Sequence, residues 1–225
     1  MASTAALTRD NLRQFTPVAL VSASPYVMTA SAQSGIRSLP QLIARAKAEP
    51  GRLSFGSSGE GSASHLTVEL FKQRAGLDLL HVPYKGTGQA VTDLLSGVIQ
   101  IMFAPGQTVA QHVKAGKLHA LAVTSTTRAK AFPELPTATE AGLPGYAAVG
   151  WFGVLAPAGT SAAVVQKINT DINALLAQSA IEKSLLASGA EPAASTPDSF
   201  GKFIVDELDK WGQLEAYMQS RLKKP

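Results

Sequence analysis

The chain has 225 residues, with 20 Lys and Arg, 16 Asp and Glu, and no cysteine. Hydrophobic residues make up 45% and charged residues 16%, enough to bury a core and inconsistent with disorder; the length suits one large domain or two small lobes. The net charge of +4 is a small excess over a sparse charge set, which argues against nucleic acid as a partner, and the missing cysteine excludes disulfides, CxxC zinc sites, iron–sulfur clusters and thiol nucleophiles.

No apolar run approaches the length of a membrane span, and the residues after Met1 lack the basic start and apolar stretch of a secretory signal. Pro17 to Val21 and Tyr26 to Ala30 read as two strands divided by Pro25. Ser38 is placed as an N-cap with Pro40 in the first turn, and Leu39, Leu42, Ile43 and Ala46 form one helical face. Pro50-Gly51 stops that helix. Leu53 to Phe55 reads as a strand, followed by a Gly/Ser loop and a helix with Leu66, Leu70 and Phe71 inward. Strands are expected at Leu79 to Pro83, Ile99 to Phe103 and Leu118 to Thr124, with helices over Ala90 to Leu95 and Val109 to Val113 between them. This alternation predicts an α/β unit with a mostly parallel sheet.

The rhythm then breaks. Residues 127–146, rich in Pro and Gly, read as a linker. Ala147 to Ala156 reads as a long apolar strand. Val164, Val165, Ile168, Ile172 and Leu175 make one face of a helix, and a shorter helix ends at Gly189. Thr196-Pro197 opens a final helix with Phe200, Phe203, Ile204, Trp211 and Leu214 inward.

The segment that could carry chemistry is Phe55-Gly56-Ser57-Ser58-Gly59-Glu60-Gly61-Ser62-Ala63-Ser64-His65, between a strand and a helix. Glycines allow close backbone approach, serines add donors, and a helix start presents unpaired N–H groups, so a carboxylate or phosphate suits the place. An ordinary βα turn capped by Ser62 or Ser64 is the alternative, although three glycines in six positions exceed what a cap needs. The P-loop, dinucleotide and nucleophile-elbow patterns all fail here. His65 and Glu69 share a helix face, a weak metal signal with no third ligand; His65 reads instead as a donor behind the loop or a part-buried helix residue. A hydrolase pairing Ser57, Ser58 or Ser62 with His65 is a competing reading. A second loop offers Tyr84, Lys85 and Gly86, and a third, after the next strand, offers Gln107. Ligands of open α/β sheets gather at the carboxyl ends of strands, so the three loops side by side would make a site. Asp93 is expected to cap or pair structurally.

Gly56-x-x-Gly59-x-Gly61-Ser62-x-x-His65, His81-Val-Pro-Tyr-Lys-Gly86, Asp93-Leu-Leu-x-Gly97, Gly116-Lys-Leu-x-Ala-Leu-Ala-Val-Thr124, Pro136-Thr-x-x-Glu-Ala-Gly-x-Pro-Gly145, Trp151-Phe-Gly and Ala156-Pro-Ala-Gly-Thr160 come in that order. Together they resemble the substrate-binding proteins of tripartite tricarboxylate transporters, the Bug receptors. The resemblance implies a periplasmic, Venus-flytrap (type II periplasmic-binding-protein-like) receptor, not an enzyme and without a cofactor. Such a receptor takes a small carboxylate and delivers it to membrane permease subunits. It implies a complete α/β lobe over residues 25–126 carrying Gly56, Ser57, Ser58, Gly59, Gly61, Ser62, His65, Tyr84, Lys85, Gly86 and Gln107 as ligand-binding residues. Residues 1–24 and 147–225 would supply hinge strands and the remainder of the other lobe. The resemblance also implies a leader and first-lobe strands, including a Pro-Gly-Gly loop on the opposite wall, for which no counterpart is expected in this sequence. That lobe is therefore expected to be N-terminally truncated, with apolar helix faces exposed after Thr160 and self-association through them; the alternative is a truncated remnant that binds no ligand.

Overall fold

A computed structural model describes residues 12–222; residues 1–11, where no secretory signal is expected, lie outside them. The described residues divide into two compact units, residues 25–149 and residues 12–24 with 150–222.

In the first of these, strand β1 (Phe15–Ser31) enters through its second half. The unit then builds α1 (Leu39–Ala48), β2 (Ser54–Ser57), α2 (Ala63–Ala75), β3 (Leu80–Pro83), α3 (Thr87–Leu95), β4 (Ile101–Pro105), α4 (Gly106–Lys114) and β5 (Leu118–Val123). Ser38 caps α1 as the sequence indicates, its hydroxyl accepting from the Gln41 N–H. The strand order is β3-β2-β4-β1-β5. β2 runs parallel to β3 and β4, but β1 lies antiparallel between β4 and β5. The sheet is therefore mixed, where alternation alone predicts a mostly parallel one. The core joins Val27, Ala90, Leu94, Ile99, Met102, Ala104 and Val109.

β1 is one strand of 17 residues, not two. Pro25 does not break it, because the ladder to β4 begins only at Tyr26, where Tyr26 faces Pro105. The proline thus falls where no ladder N–H is required.

Residues 127–146 are not a free linker. Pro136 to Ala138 hydrogen-bond along β5, with Val123 donating to the Pro136 carbonyl and accepting from Ala138. Glu140 accepts from the Thr137 N–H at 2.8 Å while its own N–H donates to Thr137 Oγ1 at 3.1 Å, a capping-box exchange. Those bonds, with the Arg128 guanidinium, hold the Glu140 carboxyl below its usual range. Leu135, Ala138, Leu143 and Tyr146 are buried, and the Tyr146 hydroxyl donates to the Thr67 carbonyl at 3.0 Å.

The second unit contains the first half of β1, paired with β6 (Val149–Pro157), and the helices α5 (Ala162–Leu176), α6 (Ser179–Ala187) and α7 (Pro197–Leu222). Val18, Ala19, Ala156 and Val165 form one core cluster. Leu20, Phe200 and Ile204 form another, with Trp151 and Phe203 against it. Asn169 is buried and ties the parts together, its amide donating to the Val18 and Ser195 carbonyls, each at 2.8 Å. Gly153 has no room for a side chain: a Cβ there would stand 2.1 Å from the Phe200 ring. Of the apolar face of α5, Val165 is buried and Ile172 packs beside it, while Val164, Ile168 and Leu175 are 48%, 37% and 51% exposed.

Candidate functional site

β2 is buried along its whole length, and its carboxyl end releases the Gly/Ser loop into α2. Ser62 caps α2, its hydroxyl accepting from the His65 N–H at 3.3 Å and donating to the Gly59 carbonyl at 2.6 Å. Gly59 (φ 135°) and Gly61 (φ 69°) adopt left-handed backbone that side-chain-bearing residues avoid. Gly56 is different. It lies in β2, and a Cβ there would meet Ile99 Cδ1 at 2.4 Å. It is small because the core closes on it.

The serines split into two groups. Ser58, Ser62 and Ser64 converge: Ser64 Oγ lies 3.1 Å from both Ser58 Oγ and Ser62 Oγ, and accepts from the Ser58 N–H at 3.0 Å. The sequence offers Ser64 only as an alternative cap, yet it is the centre of this hydroxyl cluster. Ser57 is fully buried and points the other way, donating to the Gly59 carbonyl at 2.9 Å and lying 2.7 Å from His81 Nε2.

His65 does not back the loop as a donor. Its Nδ1 accepts from the Gly61 N–H at 3.1 Å, so the neutral ring carries its proton on Nε2, which faces Glu69 Oε1 at 3.7 Å. The His65 and His81 rings stack at 3.9 Å, and His81 stacks on Phe55 at 4.8 Å. Burial pushes both imidazoles down to about 4; the Lys72 ammonium adds to this at His65, and the neighbouring His65 adds to it at His81. Nothing in the local sequence gives His81 a role. Its place follows from register, because Phe55 and His81 are paired across the parallel β2–β3 ladder. Among the described residues no group of three or more His, Cys, Asp or Glu could hold a metal ion.

The hydrolase pairing is reassigned by this geometry. His65 is bonded to the loop backbone rather than to a serine, and the serine that does meet a histidine, Ser57, is closed to any substrate by its burial.

The second loop lies against the first, with the Tyr84 N–H donating to the Ser57 carbonyl at 3.1 Å. The Tyr84 hydroxyl is committed to Asp93 Oδ2 at 2.7 Å, and partial burial plus that bond push the phenol up to about 12. Asp93 therefore has the structural role expected of it. Lys85 is exposed on this loop and Gly86 precedes α3. Gln107 is exposed in the first turn of α4, at the carboxyl end of β4. β3, β2 and β4 are adjacent and parallel, so the three loops share one edge of the sheet. Phe103 is buried against Phe71 at 5.3 Å and belongs to the core. A groove of about 650 Å³ lined by Gln33, Arg45, Arg52 and Gln100 opens instead at the amino ends of β2 and β4. It is open and held partly by exposed side chains, so the loops remain the better candidate.

Most of the loop's donors are already used. The N–H groups of Ser58, Gly59, Gly61 and Ser62 each bond within the loop or to α2. The N–H groups of Ala63 and Ser64, in the first turn of α2, make no hydrogen bond among the described residues. Those two donors and the partial positive charge of the helix start suit an anion, and the hydroxyl cluster lies beside them with Ser64 buried and Ser58 and Ser62 part-buried.

The profile of "Tripartite tricarboxylate transporter family receptor" matches residues 4–219. Protein BugT of Bordetella pertussis is 38% identical over 212 residues, covering 94% of this chain and 65% of that protein. The structure of R. palustris Rpa4515 with adipate is similar at 33% identity with a TM-score of 0.75, covering 89% of this chain and 67% of that one. MatC (Rpa3494) from Rhodopseudomonas palustris with bound malate is similar at 28% identity with a TM-score of 0.72, covering 89% and 69%. The chain thus spans about two thirds or less of the length of the curated relatives it matches first. The order of motifs along the sequence, the mixed α/β unit and the profile match agree: the chain belongs to the tripartite tricarboxylate transporter receptor family.

Proposed function

We propose that this protein is a solute-binding receptor, not an enzyme, that takes a small carboxylate and passes it to the membrane subunits of a periplasmic transport system. The observation that carries the reading is the pair of N–H groups at Ala63 and Ser64, which make no hydrogen bond among the described residues, beside the Ser58–Ser62–Ser64 hydroxyl cluster. One carboxylate could accept from both donors at once, with the helix start favouring its charge. Family membership supports this, as do relatives whose structures hold adipate and malate. Gly59, Gly61 and Ser57 shape the loop. Ser58 and Ser62 offer part-buried hydroxyls that buried Ser64 holds together, and Lys85 and Gln107 stand at the carboxyl ends of the two neighbouring strands of the same edge. Tyr84 acts through its packing, because Asp93 occupies its hydroxyl. A periplasmic location follows from the family; among the described residues no helix is long and apolar enough to cross a membrane.

Calorimetric titration with adipate and malate tests the reading. Saturable binding to one site is expected, and Ser64→Val is expected to weaken it by about tenfold, because buried Ser64 holds the Ser58 N–H and both neighbouring hydroxyls in place. Binding unchanged in Ser64→Val would refute the assignment of the site. We also infer self-association through the exposed Val164, Ile168 and Leu175 stripe of α5. Sedimentation at rising concentration tests it; a monomer throughout would refute it.

A further inference from the structure

The ligand loop is built on two imidazoles that no ligand is needed to explain. Gly61 is held by its N–H donation to His65 Nδ1 at 3.1 Å. Gly59 is held on both sides by Ser57 Oγ, at 2.9 Å from its carbonyl and 3.2 Å from its N–H, and Ser57 is held in turn by His81 Nε2 at 2.7 Å. The two left-handed glycines that bend the loop each trace back to one ring. The rings are parallel within 11° and 3.9 Å apart, so one charged ring opposes charge on the other.

We propose that His65 and His81 are positioning residues of the carboxylate site, and that proton uptake at His65 Nδ1 breaks the Gly61 bond and loosens the loop in acid. This rests on the carboxylate-binding reading of the same loop. The balance is simple. In the neutral ring Nδ1 is the acceptor and Nε2 carries the proton. A proton added at Nδ1 turns acceptor into donor, so two N–H groups face each other and Gly61 must move. His81 responds differently, because with the Ser57 proton given to the Gly59 carbonyl, His81 Nε2–H donates to Ser57 Oγ whether the ring is neutral or charged. The acid-sensitive bond is therefore the one at Gly61.

The charged neighbours of the pair are few. Glu69 faces His65 Nε2 at 3.7 Å from the next turn of α2. Lys72, also on α2, neutralises Glu69 at 2.6 Å and stands 5.4 Å over the Phe55 ring. Glu60, on the loop, favours charge on His81. β3 contributes His81 itself, and β2 contributes the apolar Phe55. Burial comes first at both rings, joined by Lys72 at His65 and by His65 and Lys72 at His81, where they outweigh Glu69 and Glu60; both rings are neutral at ordinary pH.

The test follows the ring carbons of both histidines and the amide of Gly61 by NMR on the full chain, without ligand, between pH 7.5 and 3.5. The His65 ring is expected to titrate with a midpoint of about 4, and the Gly61 amide to shift with the same midpoint. His65→Asn, whose side-chain oxygen can replace Nδ1, is expected to keep the neutral-pH amide position and lose the acid transition. A His65 midpoint near 6.5, or a Gly61 amide that stays put while the ring titrates, would overturn the proposal, and the wild-type titration needs no variant to fold. Adipate affinity at pH 4 and 7 is then compared between wild type and His65→Asn, which cancels the ligand's own protonation. Wild type is expected to lose about twofold more, because half of its loops are released at the midpoint. Equal losses in both would also overturn the proposal. Absence of adipate and malate binding at every pH would count against the carboxylate reading alone, with the amide titration still deciding whether His65 holds the loop.

Discussion

Gly56→Ala isolates the packing that anchors the loop. Gly56 lies in β2 with backbone open to any residue, so only space is at issue. A Cβ would stand 2.4 Å from Ile99 Cδ1, 3.3 Å from Tyr84 Cε2 and 3.5 Å from the Ala90 Cβ. Carbon atoms settle at about 3.5–4.0 Å, so Ile99 must retreat by more than an ångström inside a core where it is 1% exposed. Overpacking of this kind costs about 1–3 kcal/mol, and for a chain of this size about 2 kcal/mol lowers Tm by roughly 4–8 °C. Ile99→Val removes the offending Cδ1 and by itself costs about 0.5–1.5 kcal/mol. The double variant should then be more stable than the sum of the two losses, with a coupling of about 1 kcal/mol. Thermal and urea melts of the four proteins measure the cycle. A Gly56→Ala protein that melts with the wild type, or strict additivity in the cycle, would refute this account of why position 56 is glycine.

Folding stability should fall with acid through the two histidines. Their folded pKa values lie below the ordinary 6.5, so the unfolded chain takes up protons first; their contribution is complete above pH 6.5 and is lost as pH drops toward about 4. The slope is at most about 1.4 kcal/mol per pH unit per ring, and solvent access to His81 trims the total to about 2 kcal/mol by pH 5; urea midpoints against pH read it, and a flat profile would contradict it. Asp93→Asn should bring the Tyr84 phenol down from about 12 toward 10, seen as an earlier step in the ultraviolet titration, and leave it unmoved if the bond is absent. Tyr146→Phe should cost about 1 kcal/mol in a urea melt through the lost bond to the Thr67 carbonyl, with no loss if residues 127–146 are a free linker.

Features written in local sequence are legible from the residues alone. Ser38-Leu39-Pro40 marks a helix start by chemistry that needs no partner, and Thr196-Pro197 does the same for α7, where Thr196 Oγ1 accepts from the Ser199 N–H at 3.1 Å. The Gly/Ser loop is legible for the same reason. Features that depend on pairing are not. Nothing local says that β1 runs antiparallel between β4 and β5, because that is fixed by which strands find each other. The role of His81 depends on the Phe55–His81 register, and that of Ser64 on three hydroxyls meeting. Residues 127–146 mislead because irregular chain has no periodicity even where Leu135, Leu143 and Tyr146 are buried.

The glycines and the serines do different work in this loop, and the division changes what a ligand would meet. A glycine-rich turn suggests a cradle of backbone N–H groups, yet those of Gly59 and Gly61 are turned inward, to Ser57 Oγ and His65 Nδ1. Their left-handed backbone serves to bring Ser58 back over Ser62 and Ser64 rather than to approach a ligand. Ala63, at the start of α2, is exposed and the Ser58 and Ser62 hydroxyls are part-buried, while Ser64 is buried at the centre of the cluster; among the described residues the Ala63 and Ser64 N–H groups make no hydrogen bond. On the proposed reading, such a site would recognise a carboxylate without reading the rest of the molecule. Discrimination among carboxylates would then fall to the neighbouring loops, where Lys85 offers a charge and Gln107 an amide. Exchanging those two residues should alter which acid binds, whereas changes at Ser64 should weaken every acid alike.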